Sequence, residues 1–295
     1  MKFTVLKFLI LMLFVGVFFS CKKDENQELI KNNSWSYDKN KLIKCFHNGS
    51  ASKGILDDDS TFMANLSENL DSIGSWHNEF QDYLYQNTIA HNLSMCEKEN
   101  FRKNFNIYCK NYFATKGIKS PDDFVTFYNY SKMNEMIVYP QPILSEYANK
   151  LLQQLNDMIK TADQLDIQEF ADSCDKLKKI CISSSLKVNE KLIVGSGVAV
   201  AKYSLLYWNK NYSAWKNYYS SMSCSFGLSG KPSPTEISVL QHDVAGVIGG
   251  AIGGGLGGGP AGIVAGALVV GGYKSATHAL CQAFHITSVT DWFGL

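Results

Sequence analysis

The chain has 295 residues, of which 45% are hydrophobic and 13% aromatic; this excludes intrinsic disorder and collagen-like repeats and leaves ample apolar material for a core. Its 28 basic residues against 27 acidic ones give a formal charge of +1, which removes any electrostatic case for wrapping nucleic acid. Six prolines, and no regular alternation of apolar and polar residues, speak against an all-β sandwich.

At the N-terminus, Lys2 and Lys7 precede an apolar run from Phe8 to Phe19, and small Ser20 stands directly before Cys21. A charged start, a short apolar stretch and a small residue at the cut site describe an export signal, too short to read first as a membrane span. A signal ending at Cys resembles the lipobox of bacterial lipoproteins, which implies acylation of Cys21. The run Cys21-Lys22-Lys23-Asp24-Glu25 is also similar to Bacteroidetes lipoproteins in which Lys and acidic residues near the lipid Cys accompany display on the cell surface. The resemblance implies an address: the outer membrane, lipid-anchored and facing outward. An ordinary secretory signal with an incidental Cys is the alternative. Residues 22–35 are too polar to pack and read as a tether.

Beyond Cys21, seven of the 8 cysteines remain, and an exported chain can oxidise them. Seven is odd, so at least one stays free or pairs between chains. Cys174 and Cys181 fall on one helix face about 10 Å apart by rise, too far for a mutual bridge. Cys96 with Cys109 is the more plausible local pair, and the lack of a CxxC gives no thiol-redox or zinc motif.

From Trp35 to about Thr235 the pattern predicts helices joined by polar loops. Ser120-Pro121-Asp122-Asp123 is a good helix start, with a hydroxyl cap, Pro at the first position and acids near the positive end of the dipole. It leads into an aromatic segment around Phe124, Phe127, Tyr128 and Tyr130, which Pro140-Gln141-Pro142 ends. From Ser145 to Leu165, Tyr147, Leu151, Leu155, Met158, Ala162 and Leu165 recur at spacings of three and four and predict one buried face. Ile167 to Leu186 predicts a second amphipathic helix carrying Phe170, Cys174, Leu177 and Cys181, paired with the first across a short connection. Val188 to Tyr219 is almost uncharged around Lys202; a Lys near the middle of a span is costly, so a buried helix of a bundle is the preferred reading. Within it, Trp208, Tyr212, Trp215 and Tyr219 form a stripe at helical spacing, suited to core packing or, less commonly, to holding a sugar or peptide.

The strongest signal lies near the C-terminus. Between Asp243 and Lys274 run thirty uncharged residues, Val244 to Tyr273, holding thirteen of the 23 glycines. Gly246, Gly250, Gly254, Gly258, Gly262 and Gly266 recur every four residues, with Gly249, Gly253, Gly257, Ala261 and Ala265 as a second small row. Each GxxxG lets two helix backbones touch, and the repeat resembles the glycine zippers of membrane-associating and pore-forming helices. At about 1 kcal/mol per Gly relative to Ala, thirteen cost an isolated helix about 13 kcal/mol, so the segment is expected to be helical only when packed or in a bilayer. Gly257-Gly258-Gly259-Pro260 offers a break into two arms of about fourteen residues, each too short to span alone. Insertion of a hairpin, a kinked span and soluble packing against the body all remain open. After Lys274, 276–284 reads as a short helix, and Trp292 and Phe293 suit either a membrane interface or docking on the body.

Other site signals are weak. Asp57, Asp58 and Asp59 lack the glycine and distal Glu of a calcium loop; His47, His77, His91, His242, His278 and His285 show no paired metal spacing; Gly195-Ser196-Gly197 lacks the flanks of a nucleophile elbow. No catalytic residue, metal or cofactor is assigned, and the chain is expected not to be an enzyme. The reading is all-α: an irregular helical bundle with a C-terminal Gly-rich helical hairpin. Its parts are a lipoprotein signal peptide (1–20), acylated Cys and tether (21–35), helical globular domain (36–235) and glycine-zipper region (236–295). Its expected function is that of an outer-membrane, surface-exposed lipoprotein whose tail mediates helix association, between copies or with a bilayer, in a bacteriocin-like way. The alternative is a surface ligand- or partner-binding module with the tail as internal scaffold.

Overall fold

The computed structural model describes residues 36–37, 65–90, 98–119, 143–220 and 233–283. The leader, Cys21 and its tether, the 57–59 loop, the 120–130 segment, and Trp292 and Phe293 lie outside these residues.

The described chain is all-α. Six helices follow in order: α1 Leu66–Ala90, α2 Lys98–Thr115, α3 Glu146–Lys160, α4 Ile167–Ser183, α5 Val188–Ser220 and α6 Pro234–Ala283. A two-residue antiparallel bridge, β1 Ser36–Tyr37 with β2 Ile118–Lys119, ties residues 36–37 to the end of α2. Gly117, at φ 78°, makes the turn between α2 and β2, a left-handed conformation that a Cβ would strain.

Local chemistry sets the helix ends. The Ser145 hydroxyl accepts from Ala148 N at 3.3 Å at the start of α3, and Lys160 stands in its last turn, against the negative end of the dipole. A single 3₁₀ turn, Ala162–Gln164, separates α3 from α4, so the two helices pack together. At the start of α4, Gln168 N donates to Asp166 Oδ1 at 2.7 Å while Asp166 N donates to Glu169 Oε2 at 3.1 Å, a reciprocal capping box. The α6 start repeats the device with Ser233 and Glu236, and Pro234 takes the first helical position, where its missing N–H costs nothing. Two details of α3 differ from the expected face. Tyr147 is 42% exposed, and the buried stripe is Ala148, Leu151, Leu152, Leu155 and Ile159. A helix turns 100° per residue, so centring the stripe on Ala148 swings Tyr147 toward solvent.

α5 is the axis of the bundle, in contact with α1, α3, α4 and α6. Gly195 and Gly197 explain how neighbours come so close: a Cβ on Gly195 would meet Leu70 of α1, and one on Gly197 would meet Ile248 Cγ1 of α6 at 2.9 Å. The Gly-Ser-Gly of α5 is thus a seat for two partners. Lys202, the one charge amid the apolar part of α5, leaves the core along its stem and pairs with Asp175 of α4 at 2.7 Å. α2 joins the core through Phe105, Cys109, Tyr112 and Phe113, which gather with Phe80 of α1 around Tyr273 of α6.

The cysteine expectation needs one correction. Cys109 is a free, fully buried thiol, as are Cys174 and Cys181, while Cys96 lies outside the described residues. The Cys109 side chain is turned into the core beside Tyr273, and burial raises its thiol pKa far above the ordinary range.

Candidate functional site: a glycine hairpin and the polar cluster at its base

α6 is 50 residues long in hydrogen-bond terms but is two helices joined at a kink. Gly259 takes φ 57°, ψ −153°, a combination open only to glycine, and Pro260, which has no N–H to offer the preceding turn, begins the second arm. The kink folds arm 234–258 back along arm 260–283.

The glycine row is where the arms meet. A Cβ on Gly250 would fall inside the carbonyl of Gly266, 2.7 Å from its carbon, and a Cβ on Gly266 would fall inside the carbonyl of Gly250 and 3.3 Å from the Gly254 Cα. One turn toward the open end, a Cβ on Gly246 would stand 3.0 Å from both the Gly271 Cα and the Lys274 Cβ. Backbone therefore lies on backbone, which any side chain would prevent. Gly262 is buried on the second arm, and Gly258 ends the first arm beside the turn. The contacts of Gly246, Gly250, Gly254 and Gly266 are made within one chain. On the outer side of the second arm, Gly272 gives way to Phe80 of α1, and Gln81 Nε2 of α1 donates to the Gly272 carbonyl at 3.3 Å.

The hairpin is almost wholly interior. All residues of 261–271 are buried, as are most of 237–254, and α1, α3 and α5 cover them. Among the described residues no helix is long and apolar enough to cross a membrane.

The charges that bracket the apolar run are themselves buried at the open end. Asp243 has no exposure and Lys274 has 3%. The Asp243 carboxylate accepts from the Ser204 hydroxyl and, at 2.9 Å, from Trp208 Nε1, both on α5, and His77 Nε2 of α1 stands 3.9 Å away. Desolvation raises the Asp243 pKa, opposed by His77 and by the Ser204 and Trp208 donors. Ser275 Oγ, Asp243 Oδ1 and His77 Nε2 have no hydrogen-bond partner among the described residues. Buried polar atoms left in this state cost free energy, so the cluster is a soft point where three helices join.

One turn further out, the arms are joined by two imidazoles. His242 of the first arm and His278 of the second stack with ring centroids 3.6 Å apart at 12°. Ser238 links them: its hydroxyl bonds His278 Nε2 at 3.1 Å and its carbonyl bonds His242 Nδ1 at 2.8 Å. Burial, then the proximity of His242 and Lys274, lowers the His278 pKa from 6.5 to about 3.

The aromatic stripe of α5 belongs to this interior. Trp208 is fully buried; Trp215 is 1% exposed and donates to Tyr207 Oη at 3.0 Å; the two indoles meet edge to face at 5.5 Å. Tyr212 is partly buried and packs on Trp208 at 6.3 Å, and the side chain of Tyr219 lies outside what is described. Trp208 and Trp215 therefore offer no open platform for a ligand. Sequence reasoning found the glycine row but weighed His242 and His278 only as metal ligands, and Asp243 only as the edge of the uncharged run, because no local motif joins them. The available signal was position: each flanks the uncharged run.

No protein-family model matches this chain, and no curated protein or solved structure matches it.

Proposed function

We propose that this chain is an exported outer-membrane lipoprotein, anchored through Cys21 and displayed at the cell surface, that stores a glycine hairpin inside a helical body for transfer to a bilayer in a bacteriocin-like way. The observation that carries this reading is the crossing of Gly250 and Gly266 within a buried, uncharged hairpin.

A bilayer interior accepts backbone only when its hydrogen bonds are satisfied internally, which a helical hairpin does. Leaving the body forfeits burial against α1 and α5, and acyl chains replace those apolar contacts. At 1.5 Å per residue, arm 244–258 is about 22 Å long, short of the ~30 Å hydrocarbon core, so the hairpin enters part-way with the Gly259 turn innermost. The glycine content keeps mean hydropathy modest, which eases export past the inner membrane. A second reading, a surface binding module with the tail as scaffold, is favoured by the burial of 261–271 in the body.

A reversible lock separates the two. Ile248 Cγ1 would lie 2.9 Å from a Cβ on Gly197 and is one bond from its own Cβ, so Cys side chains at both positions fall within disulfide reach. The chain carrying Cys21→Ser, which no acyl group can anchor, is expected to release dye from vesicles. With Gly197→Cys and Ile248→Cys it should do so only after reduction. Dye retention by the unlocked chain, with the tail protected from protease in a monodisperse monomer, would establish the scaffold reading instead.

A further inference from the structure

The hairpin is closed by glycine contact along its length, but at its open end it is closed by His242 stacked on His278. We infer that this imidazole pair is a proton-operated latch: neutral rings hold the two arms together, and protonation drives them apart and frees the hairpin. The inference rests on the stored-hairpin reading and names its trigger.

Geometry makes the pair intolerant of charge. Two rings 3.6 Å apart and nearly parallel present face to face, so imidazolium on both would place two positive charges at contact distance. Lys274, one turn before His278 and 3% exposed, further disfavours a charge on that ring. Among the described residues, the other titratable groups around the base are held differently. Asp243 points to Ser204 and Trp208 of α5 and to His77 of α1; the Glu236 carboxylate accepts from Ser233 N at 2.8 Å and faces Tyr212 of α5; Tyr273 and Cys109 of α2 are kept protonated by burial. Ser238 fixes both rings through one residue, so loss of either hydrogen bond loosens both.

The direction follows from linkage. Packed His278 resists protonation down to about pH 3, whereas with the arms apart it takes a proton near 6.5. Between those values the open form binds a proton that the closed form does not. Closure is therefore complete above pH 6.5 and is weakened about tenfold for each unit below it. Asp243 works the other way: its raised pKa favours the packed state increasingly as pH falls from the folded value toward its unfolded value of about 3.9, so it opposes the histidine pair in acid. Replacing His278 leaves the Asp243 contribution in place and so separates the two.

The test measures amide hydrogen exchange of α6 in the full chain at pH 7.5 and 5.5, corrected for intrinsic rate, alongside dye release from phosphatidylglycerol–phosphatidylethanolamine vesicles. The expected result is faster opening of 234–283 at pH 5.5, by up to about tenfold, abolished by His278→Phe, which keeps an aromatic face for His242. Opening that is indifferent to pH, or equally sensitive in His278→Phe, overturns the latch. If that variant does not fold, imidazole titration by nitrogen NMR decides in the unaltered chain: His278 titrating near 6.5 while α6 stays protected also overturns it. Dye release at both pH values without acid opening removes the latch but leaves the membrane reading; acid opening without dye release keeps the latch and removes the membrane reading.

Discussion

Gly250 and Gly259 both belong to one hairpin, yet the reasons only glycine serves are different. At Gly250 the backbone is ordinary helix and the obstacle is space, since a Cβ would fall inside the Gly266 carbonyl. At Gly259 space is open, with nothing within 4 Å of where a Cβ would stand, and the obstacle is φ 57° with ψ −153°. Gly259→Ala should therefore cost about 1–3 kcal/mol, the strain of one forbidden backbone conformation. Gly250→Ala has no local remedy, because the arms must separate to admit it; it should cost more and should also expose α6 to exchange. Urea unfolding of both variants checks the order, and a smaller loss at Gly250 would contradict the crossing.

At the scale of elements, caps and seats decide where helices begin and what they touch. Glu190, in the first turn of α5, accepts from Ser145 N at 2.6 Å and from Lys187 N at 3.3 Å, so it pins the start of α3 to the start of α5. Burial works against its charge, but those backbone donors prevail and lower its pKa. A depressed carboxylate stabilises the fold above its unfolded pKa, and that contribution fades as pH falls through the folded value. Glu190→Gln keeps the shape and loses the charge-assisted bonds; it is expected to cost about 1–3 kcal/mol at neutral pH, a loss that shrinks toward zero in acid, as read by thermal unfolding under the two conditions. Much at this scale was legible in sequence: the hydroxyl of Ser145, the acids of α4 and the break at Pro260 are local chemistry. The rotation of α3 that exposes Tyr147 was not, because several stripes at three–four spacing fit the same run and the neighbouring helices choose among them.

For the whole molecule, burial of the tail is the fact that organises the rest. Covering an uncharged hairpin requires α1, α3 and α5 around it, and this leaves Cys109, Cys174 and Cys181 inside as inert thiols. Burial pushes Cys181 up to about 12 and the other two further still, so almost no thiolate exists at neutral pH. Peptide mapping after alkylation should find these three unmodified in the native chain and fully modified in urea, whatever the state of the cysteines elsewhere. Rapid native labelling of Cys109 would mean that α2 does not close over Tyr273.

The sequence by itself determined the helical class, the four-residue glycine register and the break that splits it, because periodicity, small-residue spacing and the limits of proline act over a few residues along the chain. Tertiary structure alone decided that the two arms answer each other within one chain, that Trp208 and Trp215 face inward, and that Asp243 meets His77, Ser204 and Trp208 while His242 meets His278. Those contacts join residues far apart in order, and the cost of burying a carboxylate or stacking two imidazoles has no meaning until the fold removes the water around them.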